Sequence, residues 1–285
     1  MWKSLCLMGL VAALVCTGCT DEETIVEPEE LAPPLGLQSV TMDGGVRLSW
    51  WCSNYDDLDG FKIYMDQGTH AGDPRQSPPA GFSVVDSIEV EPPCGEGVML
   101  EVSGLDNGTT YSFLVVAAKD DWRDISHTSN IIEDTPRQES ATEMTLWDFD
   151  TQPESAGLEL SDFAIVDCTT LDAQYNTDSG LGDIMCETFN PGAGTRAWID
   201  GINGGQVQDL GFMSNWDNAD MAPPEGYAAP GHSVEAIFGH VYAVRTGDGH
   251  YGKVQVLDID PELQWIEVKA AFQPDQDNRE YRRRP

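Results

Sequence analysis

The chain has 285 residues and contains 15 Lys or Arg against 49 Asp or Glu, so its formal net charge is −34. That length predicts two domains, and an apolar content of 40% is enough to build packed cores. The excess of carboxylates excludes an ordinary nucleic-acid binder, because clustered Lys and Arg are what attract the phosphate backbone. Frequent glycine (28) and proline (17), without long helix-period stretches, predict an all-β fold.

The N-terminus carries the features of an export signal. A positive charge at Lys3 precedes an apolar run and small residues, and the run is too short to span a membrane. Thr17-Gly18-Cys19 resembles the bacterial lipobox, although Cys16 stands where that motif usually has leucine. The resemblance implies that Cys19 is acylated, with palmitate-type chains, and anchors the protein in the outer membrane or at the cell surface of a Gram-negative envelope. The alternative is a plain secretory signal that is cleaved nearby.

The segment after the lipobox is acidic, punctuated by proline and poor in apolar residues. Such a composition predicts an extended tether rather than a folded element. The membrane, reached through the lipid anchor, is therefore the first predicted partner.

Four cysteines remain once the signal and Cys19 are set aside. They are Cys52, Cys94, Cys168 and Cys186, an even number that predicts disulfides in an exported chain. Three connectivities are possible, and we predict Cys52–Cys94 and Cys168–Cys186 because each predicted domain holds two of the four. None of these four cysteines is spaced as CxxC, so no metal site is predicted.

Short strands separated by turn signals begin at Leu35. Val46–Trp50 alternates apolar and polar residues with a period of two, as a half-buried strand does. Leu48-Ser49-Trp50, Gly60-Phe61-Lys62-Ile63-Tyr64 and Leu105…Gly108-Thr109-Thr110-Tyr111 resemble a fibronectin type III β-sandwich over residues 35–137. The resemblance implies core roles for Trp50, Leu105 and Tyr111, with Tyr111 bonding back to the preceding turn, and it implies a binding or spacer module.

The second half of the chain also shows the residue patterns of β-strands. Thr246–His250 contains Asp-Gly between alternating strands, which predicts a hairpin with a two-residue loop and a meander formed by the last three strands. Residues 239–254 resemble the closing hairpin of the HmuY-like haem-binding lipoproteins. A two-residue loop would place His240 and His250 on opposite faces of the hairpin, and a three-residue loop would place them on the same face. In either case they lie several ladder steps apart, too far to ligate one iron, so we predict no haem and no other cofactor.

The predicted organisation is, in chain order, a lipoprotein signal peptide (1–18), an acidic tether (19–34), a fibronectin type III domain (35–137), a linker (138–144), a second antiparallel β domain (145–273) and a polar, basic tail (274–285).

No sequence motif of an enzyme is present. HExxH, GxSxG, SxxK and a phosphate loop are all absent from the sequence, so no catalytic residue is predicted. Four aromatic residues of the second domain are candidates for a sugar-stacking platform or for core packing: Trp198, Trp216, Tyr227 and Trp265.

These observations predict a membrane-anchored envelope lipoprotein that acts as a binding or scaffolding module. Its further partner is an unknown protein or polysaccharide, and nucleic acid is excluded. Two alternatives stay open: capture of haem or another small ligand by the second domain, and a carbohydrate-binding or carbohydrate-active accessory protein.

Overall fold

The computed structural model describes residues 31–52, 58–70, 78–90, 97–190, 192, 194–229 and 231–281. The predicted signal peptide, the lipidation site Cys19 and most of the predicted tether lie outside these residues, as does Cys94. The first residue described, Leu31, is 5% exposed and belongs to a hydrophobic core, so the folded part begins within the segment predicted as a tether.

The all-β prediction is confirmed, because the described residues form strands and only two short 3₁₀-helices. The strands of the first half are β1 (Leu35–Met42), β2 (Gly45–Trp51), β3 (Gly60–Gln67), β4 (Ser83–Glu89), β5 (Gly97–Ser103), β6 (Tyr111–Lys119), β7 (Asp124–Ile125) and β8 (Ile132–Asp134). The second half contains β9 (Gln138–Glu139), β10 (Met144–Trp147), η1 (Pro153–Ser155), β11 (Gly157–Glu159), β12 (Ala164–Val166), β13 (Ile184–Phe189), β14 (Arg196–Gly201), β15 (Gln206–Phe212), η2 (Trp216–Asn218), β16 (Val234–Glu235), β17 (His240–Arg245), β18 (Tyr251–Ile259) and β19 (Trp265–Gln273).

The first half folds into a β-sandwich. A three-stranded sheet, β1–β2–β5, faces a sheet ordered β4–β3–β6–β7, in which β8 also pairs with β6. Trp50 lies in the core between them and meets Phe61 edge-on, with ring centroids 5.3 Å apart. The Tyr111 hydroxyl accepts a hydrogen bond from the backbone N–H of Asp106 at 3.1 Å, as expected for a tyrosine that fixes the turn before its strand. Leu105 is partly buried against the same core.

The second half forms another pair of packed sheets. Six strands make one sheet, ordered β10–β19–β18–β17–β15 with β9 also paired to β19, and five make the other, ordered β12–β11–β13–β14–β16. The meander predicted for β17, β18 and β19 is confirmed by their antiparallel pairing. Alternate residues such as Leu158, Ile184, Tyr242 and Val254 point inward and share one core.

The first two residues of the predicted linker (138–144) form a strand. Gln138 and Glu139 form β9, which pairs with Phe272 and Ala271 of β19. Arg137, just before β9, has no exposed side-chain surface.

The Arg137 guanidinium joins the two sandwiches. Its Nη1 donates a hydrogen bond to the Thr41 carbonyl of β1 at 2.6 Å. Its Nη2 donates to Glu139 at 2.7 Å and lies 3.5 Å from Asp217 of η2. Burial lowers the pKa of Arg137, which nearby carboxylates partly counteract. One buried cation therefore connects a strand of the first sandwich with a loop of the second.

A second buried cation lies on the outer side of the six-stranded sheet. Lys253 of β18 is 0% exposed and donates to the carbonyls of Trp216 and Ala219 at 3.1 and 3.3 Å. Its Nζ also lies 4.3 Å from the centroid of the Trp216 ring. Burial, together with repulsion from Arg137, lowers the pKa of Lys253 to about 7.

Much of the predicted C-terminal tail packs against this same side. Tyr281 is fully buried, and its hydroxyl donates to the carbonyl of Gly252. Arg279 donates to the carbonyl of Ala222 at 2.8 Å. The tail is therefore part of the fold as far as Tyr281.

Replacing Arg137 should destabilise the protein strongly. We expect Arg137→Ala to lower the free energy of unfolding by roughly 3 kcal/mol, because it leaves a buried carbonyl and two carboxylates without their cation. The matched control is Arg47→Ala, whose ion pair with Glu101 at 2.7 Å is exposed and should contribute less than about 1 kcal/mol. Urea unfolding followed by fluorescence measures both; equal losses would contradict the role assigned to Arg137.

Candidate functional site

The outer face of the five-stranded sheet of the second sandwich carries a compact group of polar and aromatic side chains. On β13, Cys186 points into the core, so Glu187 and Phe189 point outward. On β14, Ile199 points inward, so Trp198 and Asp200 point outward. The strand register sets Glu187 opposite Trp198 and Phe189 opposite Arg196. We call Glu187, Phe189, Trp198 and Asp200 the outer-face site.

The two aromatic rings of the outer-face site stack on each other. The centroids of Phe189 and Trp198 lie 4.8 Å apart, with an angle of 17° between the ring planes. The indole N–H of Trp198 donates to the Phe189 carbonyl at 3.4 Å, which fixes the orientation of the ring. Both side chains remain partly exposed. The stack therefore offers a rigid, flat apolar surface to solvent.

A pair of carboxyl groups lies beside the stack. Asp200 is 0% exposed, and no described group donates a hydrogen bond of normal geometry to either of its carboxylate oxygens. Glu187 lies diagonally across from it on β13, on the same face of the sheet. Two carboxyl groups that are buried near each other are not both ionised without cost, which favours a proton on one of them.

The pKa values show how the proton is held. Burial raises the pKa of Glu187 to about 7, and the negative charge of Asp200 adds to the effect. Burial also raises the pKa of Asp200, while Ser233 and His232 partly lower it. Near neutral pH the pair therefore provides both a hydrogen-bond donor and an acceptor.

Loops bound the outer-face site on two sides. The ring of Tyr175 packs directly over Gly231, whose positive φ of 73° and missing side chain permit the contact. Burial and the nearby carboxylates raise the pKa of Tyr175. On the other side, Arg196 forms an ion pair with Glu235 at 2.5 Å.

A cleft of about 360 Å³ lies at another place in the second sandwich, lined by Glu159, Asp183 and Asp248 among others. Glu159 accepts from the backbone N–H of Gly182 at 2.8 Å, and Asp183 accepts from that of Leu160 at 2.9 Å. Burial raises the pKa of Asp183 to about 7. These carboxylates serve as hydrogen-bond acceptors for the surrounding backbone. Within the described part of the chain, no group of three or more His, Cys, Asp or Glu side chains is placed to hold a metal ion.

The predicted Cys168–Cys186 disulfide is wrong, because both residues are free and buried thiols. Cys186 points into the core between the sheets, whereas Cys168 packs behind the five-stranded sheet with Met185. Successive residues of β13 point to opposite faces, so the sheet itself separates the two sulfur atoms. Cys52 is not one of the free thiols, and Cys94 lies outside the described residues, so the Cys52–Cys94 pairing stays a prediction.

The hairpin at Asp248 is present, but its predicted two-residue loop is wrong. The backbone N–H of Thr246 donates to the carbonyl of His250 at 3.0 Å, which leaves a three-residue loop between them. His240 and His250 consequently project from the same side of the hairpin, as expected for a three-residue loop.

Each of these two histidines has its own carboxylate partner. The Nδ1 of His240 lies 3.0 Å from Asp209, and that of His250 lies 2.9 Å from Asp248. The two rings therefore belong to separate local pairs. The absence of a haem site stays a prediction.

Of the four aromatic residues considered for a sugar platform, only Trp198 belongs to the outer-face site. Trp216 is buried, with Lys253 and Lys269 over its ring at 4.3 and 4.2 Å. Tyr227 packs against the same cluster as Trp216, and Trp265 pairs across strands with Trp147.

Sequence reasoning missed Glu187, Phe189 and Asp200. The signal that was present is the alternation along β13 and β14, where polar or aromatic residues occupy every second position. Only the strand register brings the two carboxyl groups together.

Comparisons with known proteins add little. No family model and no curated protein matches this chain. One similar solved structure, entitled "Myokine structure", is 15% identical, covers 37% of this chain and 98% of its own, and has a TM-score of 0.28. Similarity at that level carries no argument about fold or function. Among the described residues, no helix is long and apolar enough to cross a membrane.

The Glu187–Asp200 pair should make stability depend on pH. The pKa of Glu187 rises from an ordinary 4.5 to about 7 on folding, so its contribution is complete below pH 4.5 and is lost as the pH rises through 7. We expect Glu187→Gln to reduce this loss by about 1–2 kcal/mol, allowing for solvent screening of a half-buried group. Chemical unfolding at pH 4.5 and pH 8 measures it. Glu262→Gln, at an exposed position, is the control; a wild-type profile in Glu187→Gln would refute the pairing.

The two free thiols should react only after unfolding. Burial raises the pKa of Cys168 to about 11 and that of Cys186 well above its usual range, so neither forms a thiolate near pH 8. Iodoacetamide should label both in urea and neither in the native protein, without prior reduction. Peptide mapping by mass spectrometry decides the question, and a linked 168–186 peptide would contradict the structure.

Proposed function

We propose that this protein is a lipid-anchored envelope binding protein whose outer-face site binds a polysaccharide. The observation that carries the proposal is the stack of Trp198 on Phe189 beside the Glu187–Asp200 pair. The C–H face of a sugar ring packs on an aromatic plane, and its hydroxyl groups need both donors and acceptors nearby. Glu187, the partly exposed member of the pair, donates when it is protonated and accepts when it is ionised.

The same geometry favours binding over hydrolysis. Retaining glycosidases hold their two carboxyl groups roughly 5 Å apart, and inverting enzymes hold them farther apart. Glu187 and Asp200 lie on neighbouring strands of one sheet face, and Asp200 is 0% exposed, so a substrate bond has no access to a position between the two carboxyl groups. We therefore propose a non-enzymatic role.

The rest of the chain supports an anchored binding protein. Thr17-Gly18-Cys19 supplies the acylation motif, and the acidic segment after it supplies a tether. The first sandwich fits a fibronectin type III-like spacer, with Trp50 in its core and Tyr111 fixing a turn. The proposed location is the outer membrane or the cell surface, where polysaccharides are available.

The net charge of −34 favours an uncharged polysaccharide as the ligand. Acidic polymers would be repelled by the whole molecule, and most strongly by the carboxylates near the site. Neutral glucans, xylans or mannans are not repelled in this way. The proposed ligand is therefore a neutral polysaccharide.

Binding of soluble polysaccharides by the full chain tests the proposal. We expect affinity for at least one neutral glucan, xylan or galactomannan in affinity electrophoresis, and none for polygalacturonate. Trp198→Ala should weaken binding about tenfold, which corresponds to roughly 1.4 kcal/mol of lost stacking. Glu187→Ala should also weaken it, because the accessible carboxyl group beside the aromatic stack is lost.

The matched control is Phe212→Ala, which removes an aromatic ring that is 65% exposed elsewhere on the same sandwich. Its affinity should equal that of the wild type. Equal losses from Trp198→Ala and Phe212→Ala, or no binding of any neutral polysaccharide, would refute the proposal.

A further inference from the structure

Three large apolar side chains are exposed together on the first sandwich. Leu35, Trp51 and Met99 are 57%, 62% and 66% exposed and lie on the neighbouring strands β1, β2 and β5. Leu35 of β1 lies opposite Trp51 of β2. Met99 of β5 lies opposite Ser49, which is two residues before Trp51 on β2. Trp51 and Met99 line a shallow depression of about 280 Å³. A grouped apolar surface of this kind marks a contact site, whereas single exposed apolar residues do not.

The sheet that carries this patch has no net charge. Its three strands, β1, β2 and β5, contain only two charged residues, Arg47 and Glu101. These two residues form an ion pair at 2.7 Å and cancel each other. A neutral sheet stands out on a chain whose net charge is −34.

The patch lies where the chain enters the sandwich. Leu35 begins β1, and Leu31 is already fixed in the core below it. Only 31 − 19 = 12 residues separate Leu31 from Cys19. Even fully extended, they span about 40 Å at roughly 3.4 Å per residue. An acyl anchor at Cys19 therefore keeps the start of this sandwich within about 40 Å of the bilayer.

We propose that the outer face of the β1–β2–β5 sheet, centred on Leu35, Trp51 and Met99, rests on the headgroup region of a zwitterionic bilayer. This inference rests on the proposed acylation of Cys19. Tryptophan, with an apolar ring and a polar N–H, is suited to the membrane–water interface, and methionine and leucine add apolar contact area. Anionic lipids are disfavoured because they repel the acidic chain.

The contact would act together with the acyl chains. Lipid anchoring at a single residue does not by itself select which side of the folded part faces the bilayer. A neutral apolar face beside the tether gives the first sandwich a preferred side toward the bilayer. The outer-face site of the second sandwich would then be presented in a restricted set of orientations.

Quenching of tryptophan fluorescence by nitroxide-labelled lipid tests the contact. The full acylated chain is reconstituted into phosphatidylcholine vesicles that carry a nitroxide near the headgroup. We expect quenching that falls by at least half in Trp51→Phe and is unchanged in Trp122→Phe, a partly exposed residue on the opposite sheet of the same sandwich. Met99→Gln should reduce the quenching with Trp51 still present. Replacing part of the phosphatidylcholine by phosphatidylglycerol should also reduce it.

Flotation of the same vesicles separates the two proposals. A chain that floats with the vesicles but shows no quenching dependent on Trp51 is anchored without the contact, and that result overturns the inference alone. A chain that does not float overturns both the anchor and the contact. Polysaccharide binding by Trp51→Phe should equal that of the wild type in either case, because Trp198 is unchanged.

Discussion

The buried guanidinium of Arg137, packed near the buried amine of Lys253, determines how the two sandwiches are joined. Arg137 and Lys253 have no exposed side-chain surface, and removing such groups from water costs several kcal/mol each. Carbonyl groups, partly buried carboxylates and the Trp216 ring offset that cost. These partners come from β1, β9, η2 and the residues around it. Each segment must therefore be in place before the cations are stable, which couples the two sandwiches.

Some other buried carboxyl groups are not neutralised by a neighbouring cation. With 49 acidic and 15 basic residues, most carboxylates have no cation available. Glu187 and Asp183 instead have pKa values raised to about 7 by burial, so they are held in the fold largely by a proton. The acidic composition therefore affects the interior as well as the surface. A buried positive charge joins the two sandwiches, whereas protons neutralise the carboxyl groups that the strands direct toward partly buried positions.

The sequence patterns that predicted correctly are local ones. Alternation along Val46–Trp50 and the Asp-Gly pair at Asp248 identified strands and a turn, because each depends only on neighbouring residues. Loop length is less local: Thr246 and His250 pair with each other, and Gly249 takes a positive φ of 93°, which a dipeptide signal does not specify. The error over Cys168 and Cys186 has a similar cause, since their spacing does not reveal which face of β13 each thiol meets. The carboxyl pair needed the register between β13 and β14, which no single strand encodes.

Net charge offers a reason why both proposed contacts are with uncharged partners. A chain at −34 is repelled by acidic polymers and anionic lipids alike, over a distance set by the ionic strength. The β1–β2–β5 face cancels its only two charges within one ion pair, and the outer-face site holds one of its carboxyl groups protonated near neutral pH. Both surfaces combine a partly exposed tryptophan with few uncompensated charges. The rest of the surface is acidic and repels anionic ligands. Neutral ligands can therefore bind at these two surfaces without competition from anionic ones.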